Sequence, residues 1–166
     1  DIRRLLENPS ADSRAETVRK VGAYMASGQA ADSEQALADD IFTLLVGDVE
    51  TTVRRALSET LAASDHIPSG LARKLAHDID DIAIPFIETA RTLSDEDLLE
   101  IVDSQQPVRQ QAVARRSTVT ARVADALADK GDESAVAALM GNDGAELRES
   151  TLNRALDRFP KSDSVK

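Results

Sequence analysis

A chain of 166 residues has room for one ordinary domain and little space for a second. Its 42% hydrophobic residues are mostly Ala, Leu, Val and Ile, with four aromatics (Tyr24, Phe42, Phe86 and Phe159) and no cysteine, which suits packed helices and excludes disulfide staples and thiolate metal sites. The formal net charge of −10 disfavours a phosphate backbone as the main partner, because such binding needs clustered Lys and Arg to release counterions.

Residues 1–7, DIRRLLE, read as a short amphipathic start that Asn8, Pro9 and Ser10 break. Ser13 is expected to cap the first long helix, with Glu16 as its reciprocal acid, Val18, Val21 and Met25 on one face, and Gly28 at its end. A second helix follows from Ser33, its stripe being Ala36, Leu37, Ile41, Leu44 and Leu45, closed by Gly47 and Asp48. This pair is longer than the later ones and fits an N-terminal cap over residues 1–47.

The segment 48–78 reads as helix, turn, helix: Val53, Leu57 and Leu61, then Ile67-Pro68, then Leu71, Ala72 and Leu75. In segment 79–104, Pro85 falls at the fourth position of a helix capped by Asp81, which predicts a short or kinked helix. Ser94 then opens SDEDLLEIV, whose Asp95, Glu96 and Asp97 lie in a first turn, where the helix dipole favours anions. Segment 105–130 has a weaker first helix, with Arg109 in the column of Leu57 and Ala83, and a second helix that Gly131 stops. Segment 131–160 carries a helix from Ser134 to Met140, the turn Gly141-Asn142-Asp143-Gly144 and a helix from about Ala145 to Phe159. Residues 161–166 are expected to be a disordered tail.

These segments repeat at about 26 residues. One column holds Leu61, Ile87, Val113 and Leu139; others hold Ile67, Leu93, Val119 and Ala145, then Leu75, Ile101 and Leu127, then Ala72, Leu98 and Ala124. The turn column, Pro68, Ser94 and Thr120, holds residues that begin helices. β-Branched residues sit at helical spacing throughout, with no alternating strand pattern. The fold expected is all-α, a right-handed α-solenoid of about five short helical pairs in a single domain over residues 1–160.

At VRRALSETLAASDHIPSGLARKLAHD, IAIPFIETARTLSDEDLLEIV and AVARR, the chain resembles the bacterial family of domain of unknown function 2336, over about Leu5 to Asn142. Ser94 to Val102 is the most specific stretch; the segment after Asp143 matches weakly, and family members are usually longer, so that a C-terminal portion is expected beyond this chain. The units are also similar to leucine-rich variant repeats. The resemblance implies a HEAT-like superhelix, a cytoplasmic setting in bacteria, mainly alphaproteobacteria, no established activity, and binding to other proteins by the precedent of such solenoids.

The residues themselves offer no catalytic pattern. G-x-S-x-G, a phosphate-cradling glycine loop and H-E-x-x-H are all missing, so the expectation is a non-enzyme without cofactor, metal or small-molecule substrate. His66 reads as a solvated turn residue. A metal reading of His77, Glu100 and Asp103 stands against a solvated polar strip, and the pairs Asp80-Asp81 and Asp95-Glu96-Asp97 read as capping rather than acid–base groups, with Asp39-Asp40 on a polar face.

The function expected is a protein-interaction scaffold whose second helices present Lys74, His77, Glu100, Asp103, Arg122 and Asp129. The alternative is a HEAT-like nucleic-acid-binding or repair protein with a groove of Arg54, Arg55, Arg109, Arg115 and Arg116. Against it, Arg54 steps at the repeat period to Asp80, Gln106 and Asp132, which suits ion pairs between units, and no tryptophan offers a stacking platform. No apolar run approaches the roughly 20 residues of a membrane span.

Overall fold

The computed structural model describes residues 10–67 and 69–165. The start read at residues 1–9 and the Pro68 turn position lie outside them. Among the described residues the protein is all-α, with ten helices: α1 (Ala11–Ala26), α2 (Asp32–Leu45), α3 (Thr51–Ala62), α4 (Ser69–Ala76), α5 (Asp80–Thr89), α6 (Asp95–Asp103), α7 (Pro107–Ala114), α8 (Ala121–Lys130), α9 (Glu133–Met140) and α10 (Glu149–Arg158). The predicted columns form the core: Leu61, Ile87, Val113 and Leu139 are all buried, as are Leu75, Ile101 and Leu127, and Ala72, Leu98 and Ala124. Two compact units divide the chain within α5, one reaching Phe86 and including Ala90–Thr92, the other Ile87–Thr89 and everything from Leu93 on.

In the first unit α1 packs on α3, with Gly22 at the contact, where a Cβ would stand 2.0 Å from Thr60 Cγ2. Ser10, not Ser13, caps α1: its Oγ accepts the Ser13 N–H at 3.2 Å. The helix closes through Gly28, whose φ of +69° lies in the left-handed region glycine tolerates. α2 starts a residue earlier than expected because Glu34 reaches back to accept the Ala31 N–H at 2.9 Å. Its buried residues are Ala38, Ile41, Phe42 and Leu45, so the expected stripe is rotated: Ala36, Leu37 and Leu44 face outward.

Pro85 is tolerated differently from the expectation. The N-cap of α5 is Ile79, not Asp81, which places Pro85 at the sixth position of a ten-residue helix. The intrahelical bond it cannot make is the one to the Asp81 carbonyl. The helix starts early because the Asp78 Oδ1 accepts the Ile79 N–H at 2.7 Å, and Asp78 is itself fixed by Arg54.

In the second unit α6, α8 and α10 pack in one row and α7 and α9 in another, with α6 against α7 and α8 against α9. Ser94 caps α6 in a full capping box: its Oγ accepts the Asp97 N–H at 3.2 Å and Asp97 accepts the Ser94 N–H at 3.0 Å. Thr120 and Asp132 cap α8 and α9 through the N–H groups of Val123 and Ala135. The last helix begins at Glu149 rather than near Ala145, because Val119 and Ala145 form an isolated parallel bridge that holds the preceding residues extended. Val165, in the segment expected to fray, is 3% exposed and lies in a cluster with Val136 and Ala155.

Candidate functional site

Two kinds of polar residue recur at the repeat spacing, and their burial separates them. The inward kind ties helix ends together. In the first unit Arg54 donates to both Asp78 carboxylate oxygens, at 2.8 and 3.0 Å, and to the Asp48 carbonyl at 2.8 Å. Asp48 accepts two hydrogen bonds from Arg14, at 2.6 and 2.9 Å, and the Glu50 N–H at 2.9 Å. Burial on its own pushes the Asp48 carboxyl up, but the bonds from Arg14 and Glu50, aided by the charges of Arg14 and Arg54, hold it below the ordinary carboxylate value.

The second unit uses the same device at one column. Arg116 is 8% exposed and donates to the Ile87 carbonyl; burial pulls its guanidinium below the usual arginine value. One repeat later stands Asn142, whose amide donates to the carbonyls of Ala114 and Arg116 at 2.7 and 2.8 Å while its oxygen accepts the Gly144 N–H at 2.8 Å. Gln110, 2% exposed, donates to the carbonyls of Val102 and Lys130 at 2.8 and 3.3 Å and accepts the Asp132 N–H at 3.2 Å. Arg158 closes the last turn onto the carbonyls of Ala128 and Gly131. Such long or amide side chains satisfy the carbonyls that every short helix leaves open at its C-terminus.

The outward kind forms the candidate face. All six predicted residues are exposed: Lys74 on α4 and His77 in the turn just after it in the first unit, Glu100 and Asp103 on α6 and Arg122 and Asp129 on α8 in the second. In that second unit three of them already pair between neighbouring helices. Arg122 pairs with Glu96, Lys130 with Asp103 at 2.6 Å, and Arg154 with Asp129 at 3.0 Å. Arg148 and Thr151 both donate to Asp125, and Thr120 to Asp95 at 2.8 Å. Partners in these pairs lie 23 to 27 residues apart in the chain, one repeat. Arg122 holds the Glu96 carboxyl below its ordinary value.

The five arginines of the nucleic-acid reading do not make one exposed set. Arg109 and Arg116 are buried, Arg54 is turned inward onto Asp78, and Arg55 and Arg115 are paired with Asp81 and Glu88 at 3.8 and 3.6 Å. Arg109 stays in the core column that Leu57 and Ala83 occupy, and that column placement is what buries it.

A family model described as an uncharacterised protein conserved in bacteria, DUF2336, matches residues 82–166, half of the sequence. The chain belongs to this family. No curated protein and no solved structure matches it. The DUF2336 match runs from α5 through α10 and includes the segment after Asp143, where the resemblance read from the sequence was weak; it does not include α1 to α4, where that resemblance was expected to begin at Leu5. The match covers the second unit, with both rows of helices, together with residues 82–86 and 90–92 of the first. Among the described residues no three His, Asp or Glu side chains gather as a metal would require, and no helix is long and apolar enough to cross a membrane.

Proposed function

We propose that this DUF2336 chain is a protein-interaction module: a HEAT-like α-solenoid, working in the bacterial cytoplasm, that docks a protein partner on the outer row α6–α8–α10. The observation that carries the reading is the split between the two kinds of polar residue. Buried Arg116, Gln110 and the half-buried Asn142 hold helix ends, whereas Glu100, Asp103, Arg122 and Asp129 stand on the solvent side of adjacent helices. Exposed ion pairs contribute only about 0–1 kcal/mol each, so Asp103, Arg122 and Asp129 can exchange their internal partners for those of a docked protein at little cost. Short repeats add such residues at a constant step, which gives an extended recognition surface without a catalytic cleft.

The test is a footprint. A partner captured from source lysate is returned to the purified chain and amide exchange is followed with and without it. Protection centred on α6 and α8 supports the reading. Protection confined to other helices, with α6 and α8 unchanged, overturns the choice of face.

A further inference from the structure

The first unit contains a cleft between α1, α2 and the end of α3. α1 contributes Gly22, Met25 and Ala26; α2 contributes Gln35, Asp39 and Phe42; Thr60, Leu61 and the turn through His66 complete the wall, around about 370 Å³. That volume lies at the small end of ligand sites, which run from about 300 to 1,000 Å³. Met25, Phe42 and Leu61 make its surface partly apolar.

Asp39 sets this cleft apart. It is half-buried on the wall, yet it has no ion pair and no side-chain hydrogen bond among the described residues, whereas the half-buried acids Asp48, Asp78 and Asp125 each hold an arginine. A carboxylate on a cleft wall without a protein partner keeps its acceptor positions open to a cation that enters. Gln35, one helical turn away on the same face of α2, is likewise half-buried and lines the cleft. The other carboxylate on the wall is Asp65, whose pair with Arg91 at 3.2 Å is solvent-exposed and exchangeable. The last turns of α1 and α3 end at the wall, where the helix dipole adds negative potential, and no Lys or Arg lines it.

We infer that this cleft receives a lysine or arginine side chain of a basic peptide segment: the aliphatic stem lies along Met25, Phe42 and Leu61, and the cationic head takes up the vacant partnership of Asp39, with the Gln35 carbonyl as a second acceptor. The same chemistry exists in free alkylamines, and the test separates the two sources.

The probe is acetyl-Leu-Lys-Leu-amide, titrated into the intact chain and followed by amide chemical shifts. Its Nε-acetyl-lysine counterpart and free n-butylammonium serve as the other arms. The expected result is a set of saturable shifts at Gly22, Ala26, Asp39 and Thr60 for the lysine peptide. Affinity should fall about tenfold or more, a loss of roughly 1.4 kcal/mol, for the acetylated peptide and in Asp39→Asn. That substitution is isosteric at an unpaired, half-buried site, so the fold is retained; Gln35→Ala is a second variant expected to weaken binding. Shifts elsewhere only, equal binding of the acetylated peptide, or unchanged affinity in Asp39→Asn overturns the inference. Butylammonium binding as tightly as the peptide overturns the peptide source and leaves a free amine as the ligand.

Discussion

Val119 and Ala145, one repeat apart, lie side by side: the Val119 N–H donates to the Gly144 carbonyl at 3.1 Å, and the Val119 carbonyl accepts the Glu146 N–H at 2.9 Å. This backbone bridge joins the turn before α8 to the turn before α10. It leaves no room at Gly144, where a Cβ would stand 2.0 Å from the Ser117 oxygen and 2.9 Å from its carbonyl carbon. Both atoms are backbone and cannot rotate away. Gly144→Ala is therefore expected to destabilise the chain by about 1–3 kcal/mol, the usual range for forced overpacking, read from the urea midpoint. A midpoint equal to wild type would mean that the bridge is not formed.

Asn142 works beside that bridge, and its amide is the test of the inward kind of residue. Asn142→Ala removes two donated hydrogen bonds and leaves the carbonyl of fully buried Ala114 without that donor. The expected loss is about 2–3 kcal/mol. Asn142→Asp, similar in shape but unable to donate, should lose a similar amount at neutral pH; full retention of stability in the Asp variant would show that the two bonds contribute nothing.

Arg116→Ala and Arg122→Ala should separate the buried and exposed arginines by stability alone. The first empties a site 8% exposed and removes the donor to Ile87, which predicts a loss of about 2–4 kcal/mol, partly from lost stem packing. The second breaks only the exposed pair with Glu96, so its change should be small and should shrink further as salt is added. Comparable losses in both variants would contradict the division between inner ties and outer face.

The acid limb of stability should report Asp48. Its folded carboxyl is held below the unfolded value of about 3.9, so its contribution is complete above that value and fades as pH falls through the lower folded one. Asp48→Asn should flatten the dependence of the urea midpoint on pH below about 4 and lower stability at pH 7. An unchanged acid slope in that variant would show that the Arg14 and Glu50 hydrogen bonds do not depress the group.

Much of the fold was legible because apolar columns and caps follow the same step. Leu61, Ile87, Val113 and Leu139 are buried as their spacing required, and Ser94 and Thr120 cap the helices that their types and positions indicated. Expected boundaries shifted where an earlier cap or a tertiary contact decided them. Ser13 and Asp81 are sound caps in isolation, but Ser10 lies one turn earlier, and Asp78, fixed by Arg54, starts α5 before Asp81 can. The start of α10 moved from Ala145 to Glu149 because the bridge to Val119 competes for the same backbone groups.

The predicted face residues are exposed, whereas the inner ties were missed. A signal for them existed: the column Ala90, Arg116, Asn142 places long polar side chains where an earlier repeat has a buried alanine. The cleft holding Asp39 had no such signal, since it arises from three helices that no single period relates.

The central claim, that the outer row of α6 and α8 is a docking face, is tested most directly by charge reversal. Glu100→Lys with Asp103→Lys is compared with wild type by quantitative affinity capture from source lysate and by thermal melting. The account predicts a melting temperature close to wild type and loss of a partner that wild type retains. A partner captured equally by both proteins would contradict it.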